Sequence, residues 1–381
     1  MITSANLWEA EIAEVDNLYK LSICFTVYNQ IEMLKSHLDI IMPTIQKRND
    51  IEVLISDDCS TQDIESLLKI YSCENLHYKR TPSNLVHDLN ILYAIENAQS
   101  KYVMILRTRD NLYVENLDSI IDSIFQNPDV GYYLFSAKDD KGNLRLNLED
   151  RIYPIEISCQ AHFKLIVHPS GNIYNREYLE VKKYRDYIIK HFDTIYGFEV
   201  HELIRCDLST QYEFLTSSIV GWVYADTLSA TDVAVNSSKS GKNIYAPEFC
   251  YPRYRCYLDF TTHEVPNNAR IMYVCDAINR YYYYAIARAK TLSNDKRYNA
   301  HYNSSPSKIK RKDVARKMDS ISYDYLQGFT KNEMNHYKRQ IEKSKMRCLL
   351  LYSIREFGRN MLIDTSFYSK YRRYMEKKTA N

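Results

Sequence analysis

The feature that most constrains this chain is an alternation of short β-rich runs with amphipathic helical stretches through its first half. "LSICFTVY", "IEVLISDD", "LHYKR", "KYVMILR" and "VGYYLFSA" carry the branched and aromatic residues of buried strands. Between them, residues 31–47, 64–71, 89–98 and 117–125 repeat apolar side chains at helical spacing. Such a pattern predicts an α/β domain with a mostly parallel sheet flanked by helices, its ligands gathered at the carboxyl ends of the strands. After about Thr231 the alternation stops. "SATDVAVNSSKSGKN" is polar and rich in small residues, and the remainder reads as helical. The expected division is therefore a nucleotide-binding α/β domain over 1–230 and a helical C-terminal region over 231–381.

All eight glycines lie at Gly131 or later, so the first half has neither a G-x-G-x-x-G turn nor a P-loop. Both devices need glycine to bring backbone amides onto phosphates, which argues against dehydrogenases and P-loop kinases. With 381 residues, 45% of them hydrophobic, the chain can bury a substantial core. Its formal charge of +2 gives no whole-molecule case for nucleic acid. The nine cysteines are scattered and never spaced C-x-x-C, as expected of reduced thiols in a cytoplasmic protein. An acidic N-terminus and the lack of any apolar run near ~18 residues point the same way.

Candidate site residues stand where strands end. "FTVYNQ" closes the first strand with Thr26 and Tyr28, and "ISDDCSTQD" closes the second with Asp57 and Asp58. A hydroxyl, an amide and paired acids on neighbouring loops can read a base and a ribose. Helix capping by Asn29, Asp58 and Ser60 is the plainer alternative.

Taken in order, "LSICFTVYNQIEMLKSHLDII", "IEVLISDDCSTQDIESLL", "NLVHDLNILYAIENAQSKYVMIL" and "RDNLYVENL" resemble family 2 glycosyltransferases of the GT-A fold, nearest to the abequosyltransferase-like branch that builds bacterial surface polysaccharides. The resemblance runs from Lys20 to Tyr224 and is strongest before Leu117. It implies a GT-A-like domain that moves a sugar from a nucleotide-sugar, usually with inversion. It further implies that Thr26 and Asp58 contact the base, and that Asn84, Asp88 and Asn90 lie beside the nucleotide.

One segment departs from that family. Where it normally reads L-D-x-D-D, with carboxylates holding a divalent metal, this chain has Leu106-Arg107-Thr108-Arg109-Asp110. Negative charge on the leaving diphosphate must be met by a metal or by fixed cations. If the segment stays extended, Arg107 and Arg109 share a side and can converge on that diphosphate. Three readings stay open: a transferase with no required cofactor and no metal ligands, an enzyme using Mn2+ or Mg2+ on Asp110 and another acid, or a degenerate fold that binds a glycan or partner without catalysis.

An inverting transfer also needs a base for the acceptor hydroxyl. Family members carry E-D-x-x-L-x-x-R near "YGFEVHELIRC", which makes Glu199 the candidate, with Glu202 one turn on. Acids in a first helical turn also simply complement its dipole. By the same resemblance His168, Ser170 and Asn172 in "IVHPSGNIYN" belong to the acceptor side.

From Lys331 to Asn381 the charge is +8, and "KMRCLLLYSIREFGRNMLI" alternates apolar and basic residues at helical spacing. That suits either the anionic inner face of a cell membrane, and hence an acceptor on a polyprenyl diphosphate, or packing against the rest of the protein.

Overall fold

The computed structural model describes residues 19–165, 168–191, 200–224 and 310–325, shorter helical pieces at 329–336, 338–340 and 342–343, and single residues at 251, 254, 255, 258, 259, 346 and 350. Two compact units divide between Ser240 and Gly241.

In the first unit the strands β1 (Leu21–Val27), β2 (Ile51–Asp57), β3 (Leu76–Arg80) and β4 (Tyr102–Arg107) alternate with α1 (Ile31–Ile45), α2 (Ile64–Leu68) and α3 (Val86–Asn97). After β4 come β5 (Asn111–Leu112), α4 (Leu117–Gln126), β6 (Tyr132–Asp139), β7 (Leu144–Leu146), β8 (Arg151–Tyr153) and α5 (Ile155–Lys164). Then follow β9 (Asn172–Asn175), α6 (Val181–His191), α7 (Val200–Gln211) and β10 (Phe214–Tyr224).

These strands form one sheet of order β3-β2-β1-β4-β9-β6-β10-β5, with β7 and β8 paired to β6 and β10. The first four are parallel, as their helical crossovers require. β9 enters antiparallel between β4 and β6, so the far half is mixed. Every residue of β1 and β2 is buried, which explains their continuous apolar runs.

Chain order reverses beside β1: β2 and β3 lie on one side of it and β4 on the other. That switch point opens a crevice at the carboxyl ends of β1 and β4, where Thr26 and Arg107 are register partners. Thr108 closes its floor by donating to the Thr26 carbonyl at 2.7 Å.

In the second unit, the helix Arg311–Tyr325 buries Val314, Met318 and Ile321. Tyr254 hydroxyl lies 2.8 Å from Ser322 Oγ, itself bonded to the Met318 carbonyl. The loop after Thr231 and most of the basic stretch from Lys331 lie outside the described residues. Among the described residues no helix is long and apolar enough to cross a membrane.

Candidate active site

The β1–α1 and β2–α2 loops are stitched to each other. Asn29 takes a left-handed φ of 51° and Cys59 one of 57°, and Asn29 Oδ1 accepts from the Thr61 amide at 2.7 Å and the Thr61 hydroxyl at 3.0 Å. Asn29 thus joins two strand ends, and the N-cap of α1 is Gln30. Asp57 is wholly committed to this scaffold: Oδ1 accepts from Ser60 N–H, and Oδ2 from the Tyr78 hydroxyl at 2.7 Å and from Arg80 at 2.8 Å.

Asp58 sits differently. It is 3% exposed, and its Oδ1 accepts the Leu85 N–H at 2.6 Å and the Thr81 hydroxyl at 3.4 Å. Burial pushes its pKa up to about 6, against the opposing bonds from Leu85, Thr81 and Val86. Beside it Thr26 Oγ1 is buried without a partner, and Tyr28 is partly exposed. An unpaired hydroxyl beside a buried carboxylate at one strand-end crevice is what a hydrogen-bonding ligand would complete.

The next segment splits into roles that sequence did not separate. Asn84 is exposed and donates to the Asp58 carbonyl at 3.3 Å. Asn90 is buried and occupied by Ser56, accepting at 2.6 Å and donating at 3.1 Å, so its side chain holds α3 to β2. Asp88 Oδ1 accepts the Val200 N–H at 3.0 Å and so caps the start of α7 from α3. Val86, a β-branched residue, has φ of 65°. Such a conformation costs on the order of 1–3 kcal/mol and persists only where surroundings enforce it.

At the end of β4 the extended geometry expected for Arg107 and Arg109 is not found. β4 stops at Arg107, and the Asp110 N–H bonds the Arg107 carbonyl at 2.9 Å, closing a tight turn. The turn folds the carboxylate back onto its neighbour: Asp110 Oδ2 lies 3.0 Å from both Arg107 Nε and Nη2 and 2.6 Å from Ser170 Oγ. Arg107 also contacts His168 Nε2, and its N–H donates to Ser170 Oγ at 3.0 Å. Arg109, half-buried, makes no ion pair or hydrogen bond with a described residue. Its charge opposes that of Arg107.

This donor set does not fit a divalent cation. The one carboxylate at the turn already accepts three donors on a single oxygen, two from the Arg107 guanidinium and one from Ser170. Among the described residues no cluster of three His, Cys, Asp or Glu could hold a metal.

The acceptor candidates gather on the same network. His168 stacks on Trp222 at 4.8 Å, and Trp222 fits only because Gly171 has no Cβ; one there would lie 2.1 Å from the indole Nε1. Asn172 donates to the Pro169 carbonyl at 2.8 Å and shapes the loop. Burial first and Arg107 second push the His168 pKa well below its usual value. Glu202 is buried in the first turn of α7, while Glu199 lies outside the described residues.

His87 stands exposed in the first turn of α3, between Asn84 and Asp88.

Residues 22–181 match the family described as Glycosyl transferase family 2. No curated protein matches the chain. Among solved structures it is similar to Staphylococcus aureus TarS 1-349 in complex with UDP-GlcNAc, at 13% identity and a TM-score of 0.58 over 87% of this chain and 91% of that one. TarS 1-349 alone gives 13% and 0.54 over the same shares. A longer S. aureus TarS structure gives 12% and 0.51, over 85% of this chain and 54% of that one. The identities carry the fold only, and the fold agrees with the α/β sheet described above. Residues 22–181 of the first unit thus match the model of Glycosyl transferase family 2, and the unit shares the mixed α/β fold of the GT-A TarS structures.

Proposed function

We propose that this chain is an inverting glycosyltransferase of hexosyl type that moves a sugar from a nucleotide-sugar to a glycan acceptor on a polyprenyl diphosphate, in bacterial surface-polysaccharide assembly, without a divalent metal. One observation carries the reading: at the end of β4 the only acid of the turn is consumed by Arg107 and Ser170, which leaves Arg109 as the cation uncommitted to a described residue.

Thr26, Tyr28, Asp58 and Asn84 receive the nucleotide, supported by the unpaired Thr26 hydroxyl and the buried Asp58 carboxylate. Arg109 faces the diphosphate. As the glycosidic bond to phosphate breaks, charge grows on the leaving oxygen, and a guanidinium at ~4 Å contributes about 4 kcal/mol of attraction at an effective dielectric near 20. Arg107 holds the turn and the His168 loop in register, with Ser170 and Asn172 shaping the acceptor side. Glu199, or Glu202 one turn on, takes the acceptor proton while its oxygen attacks the sugar from the opposite face. The basic stretch after Lys331 would bring the protein to the inner membrane face from the cytoplasm.

A transfer assay with UDP-GlcNAc as the first donor, run with and without chelator, tests this. Turnover that persists in excess EDTA supports it. Turnover abolished by EDTA and restored by Mn2+ rejects metal independence.

A further inference from the structure

We propose that Asp88 is a positioning residue, which fixes the start of α7, and with it the carboxylate that takes the acceptor proton, to the segment on the nucleotide side. The inference rests on the nucleotide-sugar reading above and adds a residue to that same site.

The run from Asn84 to Asp88 joins the two sides. At one end Asn84 Nδ2 donates to the Asp58 carbonyl at 3.3 Å, and the Leu85 N–H donates to Asp58 Oδ1 at 2.6 Å. At the other end Asp88 Oδ1 accepts the Val200 N–H at 3.0 Å, from a residue 112 positions along the chain. Between them Val86 holds a φ of 65°, which a β-branched residue keeps only where its surroundings enforce it. A strained residue between two bonded ends marks a run held in place from both sides.

The bond to α7 is placed to orient a base. Val200 opens α7, and the first N–H groups of a helix have no acceptor within it. The peptide N–H that Asp88 holds is the one joining Val200 to Glu199, and Glu202 follows in the first turn. Asp88 is 4% exposed and Val200 0%, so the bond is made away from solvent, where it is strongest. A carboxylate in this place also complements the helix dipole. Other contacts hold α7 from other elements. From β9 the Tyr174 hydroxyl donates to the His201 carbonyl at 3.3 Å, and from α6 Asp207 accepts the Tyr184 hydroxyl at 2.6 Å and Lys183 Nζ at 3.0 Å. The bond to Asp88 is the one that comes from α3.

Asp88 therefore acts through α7, although it stands four residues from Asn84. The two roles separate in kinetics. A nucleotide contact governs donor affinity, whereas a positioning residue governs turnover at constant affinity, because misplacing a reacting group by about 1 Å costs about 100-fold in rate.

Full-chain Asp88→Ala and Asp88→Asn, set against the unaltered protein, test this. Calorimetry with UDP, GDP and dTDP, with and without Mn2+, gives affinity. Diphosphate release from UDP-GlcNAc, GDP-mannose and dTDP-glucose, with water as acceptor, gives turnover. Hydrogen exchange read by mass spectrometry over residues 200–204 reports on the α7 bond directly. Asp88→Ala is expected to keep diphosphate affinity within about 3-fold, to lower kcat by about 30- to 100-fold at nearly constant donor KM, and to exchange faster at residues 200–204. Asp88→Asn keeps an oxygen for the Val200 N–H and is expected to restore protection, and the rate to within about 3-fold. Affinity lower by about 10-fold or more in either variant overturns the role, and so does an unchanged kcat in Asp88→Ala. Where Asp88→Ala does not fold, Asp88→Asn decides: rate and protection kept support the bond, and a rate about 10-fold lower overturns it. If no diphosphate binds and no donor turns over with the unaltered chain, the nucleotide-sugar reading falls, while exchange still reports whether Asp88 holds α7, so the two failures are distinct.

Discussion

Arg107 and Asp110 form a closed pair across a four-residue turn, with Asp110 Oδ2 3.0 Å from two guanidinium nitrogens and the carboxylate fully buried. Ser170, far along the chain, adds its hydroxyl to the same oxygen at 2.6 Å. Removing one partner of a buried pair leaves the other charge uncompensated, at a cost of about 3–5 kcal/mol. Asp110→Ala should therefore destabilise the protein by that much, measured as a fall in ΔG by urea denaturation. A loss under about 1 kcal/mol would reassign the pair to the surface class.

Arg109 should behave oppositely. With no ion pair to a described residue, its replacement leaves no buried orphan, so Arg109→Gln should keep the denaturation midpoint within error. Diphosphate affinity should fall by about 10- to 100-fold, since a charge-assisted hydrogen bond contributes about 1.5–3 kcal/mol. Calorimetry on this variant and on Arg107→Gln separates ligand contact from scaffold: the first loses binding at constant stability, the second loses both.

How far such roles could be read beforehand depended on whether they were local. β1, β2 and β4 are legible because buried parallel strands are continuous apolar runs. The start of α3 falls three residues before the apolar repeat at Leu89, because Asp88 and Asn90 are buried polar groups satisfied by Val200 and Ser56, partners outside the helix. Alternation gives no warning of the turn at Arg107, which depends on an oxygen from Ser170. Phe214–Tyr224 escaped too, since two register shifts around Val220 break its period of two. The strand ends that carry Thr26 and Asp58 were legible because a switch point follows from strand order alone.

Gly171 is a small residue with a large consequence. Its φ of 79° is strained for any side chain, and a Cβ would strike the Trp222 indole, on which His168 stacks. Gly171→Ala should cost about 1–3 kcal/mol through overpacking alone. Trp222 is one of two tryptophans, the other being Trp8, so displacement of the indole is readable as a shift of emission in a Trp8→Phe background. An unshifted spectrum with an unchanged thermal midpoint would contradict the contact.

Asp58 makes the sharpest pH prediction. Burial raises its folded pKa to about 6, above the value near 4 expected unfolded. The sign follows: the protonated acid favours the fold, so this contribution is complete below pH ~4 and is lost as pH rises through ~6. At neutral pH the ionised carboxylate is thus a burden of about 3 kcal/mol at 1.36 kcal/mol per pH unit. Asp58→Asn, which keeps an oxygen for the Leu85 N–H, should be more stable than the natural chain at pH 8 by up to that amount, with the advantage vanishing near pH 4. Denaturation series at the two pH values measure it. A carboxylate that costs stability needs another reason, and the proposed nucleotide would supply one: an ionised carboxylate can accept a base N–H with either oxygen, which an asparagine amide cannot. The same variant should therefore lose nucleotide affinity by about 10-fold or more while gaining stability. Lower stability at pH 8 together with unchanged nucleotide binding would remove Asp58 from the site.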